Sequence, residues 1–254
     1  MACFALSHIM VSWKATSELR LKQFAKSWRD RMAKLKAVMF DMDGVLIDSE
    51  RISLSMWEKV NEARGHVFDV SVMTKMMGGS QQENFERFGH LLPPMDVYEA
   101  MWKEKKQMSD AWIEANGMPL RPGVSEILKT LKELDVKRLI VSSTPREYAL
   151  YLLEKAGLTG CYDNGIFGDE AGRRKPHPDL YNKMMEMEGL KPEECIIIED
   201  SANGVKAGYA AGVRVFAIPD TAPLEQFRDH EAWAIVDSME DVRRWVLEQT
   251  AAEA

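Results

Sequence analysis

Residues 40–50 read FDMDGVLIDSE. They follow a short apolar run, Ala37-Val38-Met39-Phe40, whose length and composition suit a buried strand. Side chains alternate along a strand, so Asp41 and Asp43 project to the same side if the extended geometry persists, with Met42 facing away. Gly44 then lets the chain turn where a side chain would be costly. Two carboxylates placed this way repel each other unless something positive sits between them. The rest of the chain is read for what supplies that charge.

Composition narrows the choices. At 254 residues the chain can bury a sizeable core in one or two domains. A formal net charge of −7 argues against a nucleic-acid partner. No run of 18 apolar residues exists, so no spanning helix is expected. Cys3, Cys161 and Cys195 are odd in number and widely spaced. They form neither a CxxC metal pair nor a disulfide framework, and a reducing cytoplasm is the expected compartment. A monomer is the default expectation.

Residues 1–35 stand apart. They carry Lys14, Arg20, Lys22, Lys26, Arg29, Arg31 and Lys34 against Glu18 and Asp30, and Phe24, Trp28, Met32 and Leu35 recur at helical spacing. Three readings stand: a basic helix for a membrane surface or partner, a helix packed on the body, or sequence upstream of the true start, with Met32 opening the native chain.

After Asp48 the pattern turns helical. Ser49 reads as an N-cap ahead of an apolar stripe, Ile52, Met56, Trp57 and Val60. A second helix is expected near 70–77, ended by Gly78-Gly79, and a third from Ser80 with Glu83 at capping-box spacing. Pro93-Pro94 stops it, and a long helix covers 95–116. No strand signal appears between 51 and 117, so this block reads as a small helical domain with linkers near 48–52 and 117–122. Met73, Met76 and Met77 read as flexible core filling ahead of a substrate pocket.

From Pro122 short apolar strands alternate with helices: strands near 138–142, 166–167, 195–198, 213–218 and 234–236. That rhythm predicts an α/β fold, a Rossmann-like parallel sheet covered on both faces. Ligands in such sheets bind beyond the carboxyl ends of the strands. The polar residues there are Asp41 and Asp43, Ser142, and Glu199 and Asp200. Four carboxylates in one crevice call for a cation, and all-oxygen ligands suit Mg²⁺. A carboxylate can attack phosphorus to give an aspartyl-phosphate. A transferring phosphoryl group needs cations and donors on its outer oxygens. Lys175, with the Ser142 hydroxyl and nearby backbone N–H groups, could supply them.

FDMDGVLIDSE, LIVSST (139–144), GDEAGRRKPHPDLY (168–181) and IIIEDSANGVKAG (196–208) resemble the four motifs of the haloacid dehalogenase-like (HAD) hydrolases. The match is narrower to the branch of small phosphatases and β-phosphoglucomutase, over about residues 36–220. The resemblance implies a core at 36–50 and 119–254 and a helical cap at 51–118. It makes Asp41 the nucleophile and Asp43 the general acid and base. Ser142, Ser143 and Lys175 would bind the phosphoryl group. Mg²⁺ would be held by the Asp41 carboxylate, the Asp43 backbone carbonyl and Asp200, with Glu199 as ligand or neighbour.

One position departs from that pattern. β-Phosphoglucomutases carry a cap arginine for a second phosphate three residues after the glycine matching Gly78; here that position is Gln81, a candidate substrate contact. Their histidine after the first motif matches Ser53. The expectation is therefore a Mg²⁺-dependent phosphatase of a small phosphorylated metabolite, a sugar phosphate by its branch. A phosphosugar mutase is the first alternative and a non-catalytic binding protein on the same fold the second.

Overall fold

The computed structural model describes residues 34–76, 81–221, 224–227 and 232–251, without the side chains of 81–83 and 225–226. Its frame is a six-stranded, all-parallel sheet in the order β3-β2-β1-β4-β5-β6. The strands are β1 Ala37–Phe40, β2 Lys137–Val141, β3 Asn164–Ile166, β4 Cys195–Glu199, β5 Arg214–Ala217 and β6 Ala234–Ile235. The α/β expectation holds, with each strand found within about two residues of its sequence signal.

Strand alternation explains the two cores. Val38, Phe40, Ile140, Ile196 and Ile198 face one side, where they meet α5 (Val124–Glu133), α6 (Arg146–Lys155) and α9 (Met239–Ala251). Ala37, Met39, Leu139, Val141 and Ile197 face the other, against α7 (Asp179–Glu188) and α8 (Ala202–Ala210). Every residue of β1 and β4 is buried, as continuous apolar runs in a doubly covered sheet should be.

Between β1 and β2 lie four helices: α1 Ser49–Ala63, α2 Val72–Met76, α3 Gln81–Phe88 and α4 Met95–Asn116. They enclose their own apolar cluster of Trp57, Val60, Phe68, Met73, Tyr98 and Met101, with Trp57 stacked on Tyr98 at 5.4 Å between centroids. Met73 and Met76 are buried in that cluster, in keeping with core filling. Asn84 serves the fold too, its amide donating to the Met76 carbonyl at 2.6 Å.

The two crossings into this helical region run side by side. The Asp48 N–H donates to the Pro119 carbonyl and the Arg121 N–H to that of Leu46. Asp48 precedes α1 and pairs with Arg51 and Arg121, so it serves the crossing and no ligand. The N-cap expectation for Ser49 is corrected: Asp48 holds that position without a side-chain cap, and Ser49 is the first helical residue. Its hydroxyl is drawn to a carboxylate six residues back, described below. The N-terminal helix expected over Phe24, Trp28 and Met32, the Ser80 cap, Met77 and Gly78-Gly79 lie outside the described residues. Leu35 of that stripe is buried in the sheet's first core.

Candidate active site

Register sets the site. Phe40 pairs with Ile140 on one side and Ile198 on the other, so Asp41, Val141 and Glu199 end their strands level with one another. The chain order of the strands reverses here, β1 leading outward to β2 on one flank and bordering β4 on the other, the place where such sheets open a crevice.

Lys175 comes in from the loop before α7, buried, and all three of its N–H directions are used. Its Nζ lies 2.5 Å from Asp41 Oδ1, 2.7 Å from Glu199 Oε1 and 2.8 Å from the Val141 carbonyl. Burial alone would push the ammonium's pKa down, but Asp41 and Glu199 together hold it well above the ordinary lysine range. Burial pushes the Asp41 carboxyl well up; Lys175 opposes that, and Glu199 and Asp43 reinforce it.

Glu199 is fully buried with both oxygens engaged. Oε1 accepts from Lys175 and from the Tyr181 hydroxyl at 2.8 Å; Oε2 accepts from the Ser201 N–H and hydroxyl. Gly204, near the start of α8, makes room for it: a Cβ there would stand 1.8 Å from Oε1. Asp200 differs. It is 4% exposed, and no hydrogen-bond donor reaches its carboxylate among the described residues. Burial, then Glu50, Asp41 and Glu199, push its pKa well up. Gly44 is required beside it, with φ at +78° and a hypothetical Cβ 1.9 Å from Asp200 Oδ2.

Carboxylate oxygens of Asp41, Glu199 and Asp200 lie within 4.8 Å of one another. This buried, all-oxygen, strongly acidic triad could hold a divalent cation, and hard ions with oxygen ligands are the class it fits. The Asp43 carboxylate does not join it. Oδ1 accepts from the Ser49 hydroxyl at 2.6 Å and Oδ2 from the Thr144 hydroxyl at 2.8 Å. Both of its oxygens are thus engaged by hydroxyl donors. Ser142 is buried directly after β2, and its Oγ accepts the Thr144 N–H at 3.0 Å. Ser143 follows it, half-buried. Gln81 opens α3, and its side chain lies outside the described residues.

Beside Asp43 opens a cavity of about 250 Å³ between the helical region and the sheet. Ser49, Glu50, Ser53, Lys105, Ser109 and Tyr148 give it a polar lining; Ile52, Ile113, Met118 and Leu152 give apolar walls. Burial pushes Lys105 down to about 8, and among the described residues it makes no salt bridge. Burial likewise pushes Glu50 up to about 7, against the Thr221 hydroxyl bonded to it.

Sequence reasoning missed several of these groups. Thr144 and Tyr181 sat inside the motifs it quoted and received no role, and Ser49 was given only that of a helix cap. Lys105 and Ser109 are one helical turn apart on α4, a spacing visible in the sequence, but nothing there says which face of α4 meets the sheet.

The comparisons agree with the geometry. Residues 38–218 match the family described as haloacid dehalogenase-like hydrolase. The chain belongs to that family. It is 31% identical over 189 residues to the phosphorylated carbohydrates phosphatase of Thermotoga maritima, covering 72% of this chain and 85% of that one. It is 26% identical over 213 residues to the validoxylamine A 7'-phosphate phosphatase of Streptomyces hygroscopicus subsp. limoneus, covering 82% and 96%. Among solved structures it resembles a HAD family hydrolase from Deinococcus radiodurans R1 with bound phosphate and sodium. The TM-score is 0.70 at 27% identity, covering 85% of this chain and 97% of that one. This HAD chain is thus a hydrolase, and its named relatives are phosphatases.

Proposed function

We propose that this HAD hydrolase is a Mg²⁺-dependent phosphatase acting on a small phosphorylated sugar or similar polyol. One observation carries the reading: two carboxylates two residues apart are held in opposite ways. Asp41 is buried against the Lys175 ammonium, whereas Asp43 is held by two hydroxyls at the edge of the cavity. Unequal surroundings are how paired acids acquire separate jobs.

Asp41 attacks phosphorus, forming an Asp41 oxygen–phosphorus bond as the bond to the leaving alcohol oxygen breaks. Asp43, protonated, gives its proton to that oxygen. It then takes a proton from the water that hydrolyses the aspartyl-phosphate, which releases phosphate and restores Asp41. Ser142 and Ser143, with the N–H groups around them, hold the phosphoryl oxygens, and Lys175, its three N–H bonds taken by Asp41, Glu199 and the Val141 carbonyl, supplies positive charge beside them. Asp41, Asp200 and the Asp43 main-chain carbonyl are the candidate Mg²⁺ ligands, and Glu199 fixes Lys175 beside them. Bound there, the ion would neutralise charge on the phosphoryl oxygens. The helices of 51–118 act as a cap whose α1 and α4 line the alcohol side of the cavity, where Lys105 offers a cation.

The Thermotoga relative, named for phosphorylated carbohydrates, and the phosphate in the Deinococcus structure support this choice of substrate class. The test is phosphate release with Mg²⁺ from a panel of sugar phosphates, for the wild-type protein and Asp41→Asn. We expect release above background, lowered at least about 10³-fold by the substitution with the fold retained. Full activity in Asp41→Asn would refute the nucleophile assignment. Conversion of glucose 1-phosphate to glucose 6-phosphate, given a trace of the 1,6-bisphosphate and without phosphate release, would make the enzyme a mutase.

A further inference from the structure

The cavity beside Asp43 contains a polar atom that the protein leaves without a partner. Ser109 is 7% exposed, lines the cavity, and its Oγ makes no hydrogen bond among the described residues. A serine inside a helix ordinarily turns its hydroxyl to water or to the carbonyl four residues back. Ser109 does not bond the carbonyl four residues back. Alanine would fill the same space, favour the helix more and leave nothing unsatisfied. A buried orphan hydroxyl at a cavity wall is thus better explained by a ligand than by the fold.

Its surroundings say what the ligand offers. Lys105 and Ile113, one turn before and one turn after Ser109 on α4, line the same cavity. An oxygen lying against this stripe could accept from the Lys105 ammonium and exchange a hydrogen bond with Ser109. The carbon attached to that oxygen would meet Ile113 and, across the cavity, Ile52 and Leu152. Alternating hydroxyls and C–H faces are what a polyol presents.

We propose that Ser109 is a specificity-determining residue, its hydroxyl pairing with a hydroxyl on the alcohol half of a polyhydroxylated phosphate ester. The chemistry rests on the phosphatase reading; the location does not. Removing one neutral hydrogen-bond partner is worth roughly 3- to 10-fold, and a site built around a hydroxyl rejects the analogue lacking it by more.

The experiment takes the best sugar phosphate of the panel, its deoxy analogues and p-nitrophenyl phosphate, whose leaving group has no hydroxyl beyond the ester oxygen. We expect Ser109→Ala to lower the ratio of kcat/KM for the sugar phosphate over that for p-nitrophenyl phosphate by about 10-fold. In the wild-type protein one deoxy analogue should be disfavoured, and Ser109→Ala should erase that difference. Ser109→Thr, which keeps the hydroxyl, should restore most of the ratio. The Tm of Ser109→Ala should equal or exceed that of the wild type. An unchanged ratio overturns the proposal, and so does a lowered Tm with equal losses on both substrates. If the wild-type protein releases phosphate from no ester, the phosphatase reading fails by itself. The Ser109 assignment is then read from calorimetric binding of the same sugar phosphates to Asp41→Asn, with and without Ser109→Ala. Weaker binding without the hydroxyl supports it, and equal binding overturns it.

Discussion

Replacing Gly44 by alanine separates the two demands the site makes on that residue. The first is conformational: φ is +78°, where an L side chain costs about 1–2 kcal/mol. The second is space. The new Cβ would stand 1.9 Å from Asp200 Oδ2 and 2.7 Å from its Cγ, so the carboxylate must retreat by about 1.5 Å to reach ordinary contact at 3.4 Å. Metal ligands tolerate displacements of only about 0.2 Å. A misplacement of about 1 Å in a catalytic group costs on the order of 10²-fold. Gly65 isolates the first demand, with φ at +76° and nothing within 4 Å of its hypothetical Cβ. Both Gly44→Ala and Gly65→Ala should lower Tm by a few degrees, at about 2–4 °C per kcal/mol for a chain of this size. Only Gly44→Ala should also lose at least about 100-fold in kcat/KM and bind Mg²⁺ more weakly by calorimetry. A folded Gly44→Ala protein within threefold of wild-type activity would sink the idea that Asp200 must sit against this turn.

Two further substitutions test the electrostatics. Lys105→Met should raise stability at pH 7 by about 1–3 kcal/mol, because burial depresses this lysine from 10.5 to about 8 and among the described residues it makes no salt bridge. The folded pKa lies below the unfolded one, so the unfolded chain binds more protons between pH 8 and 10.5. Wild-type stability therefore gains with pH across that window and the variant's does not; parallel urea-denaturation profiles would refute the account. Glu199→Gln should cost about 3–5 kcal/mol, since all four groups on this carboxylate are donors. Whichever way the amide turns, its NH₂ meets either the Lys175 ammonium or the Ser201 N–H. A variant within 1 kcal/mol of wild type by urea denaturation would contradict this.

Much of the sheet was legible because its strands are unbroken apolar runs closed by polar residues, as in Cys195–Glu199 followed by Asp200. The long helix over Met95–Asn116 was equally plain, bounded by Pro94 before it and Gly117 after it. Side-chain direction was less legible. Ser49 looks like an N-cap in sequence because serine before an apolar stripe usually is one. Its hydroxyl goes to Asp43 because the turn at Gly44–Ile47 brings the chain back over the aspartate. Asn84, polar at a helix start and as suited to solvent as to a substrate by sequence, instead closes a carbonyl at the end of α2. The acid cluster was readable as a set, but its division of labour was not. That division depends on which donors reach which oxygen, and the donors come from 2 to 134 residues away along the chain.

Counting those donors clarifies why the site calls for a cation. Asp41, Glu199 and Asp200 are buried together with the half-buried Glu50 beside them, and the Lys175 ammonium is shared between Asp41 and Glu199. Glu199 already accepts from four donors. Among the described residues Asp200 has none, and burial with Glu50, Asp41 and Glu199 around it pushes its pKa upward. Left alone, such a site would take up protons and then repel a phosphate dianion whenever it lost them. A divalent cation at Asp41 and Asp200 removes both difficulties at once, restoring the carboxylates to their charged forms and giving the incoming anion a positive neighbour. The acids of this crevice are therefore incompatible with an anionic substrate on their own and compatible with it when the ion is bound. In the proposed mechanism Asp43 is the proton carrier, and its two hydroxyl bonds hold it at the edge of the cavity.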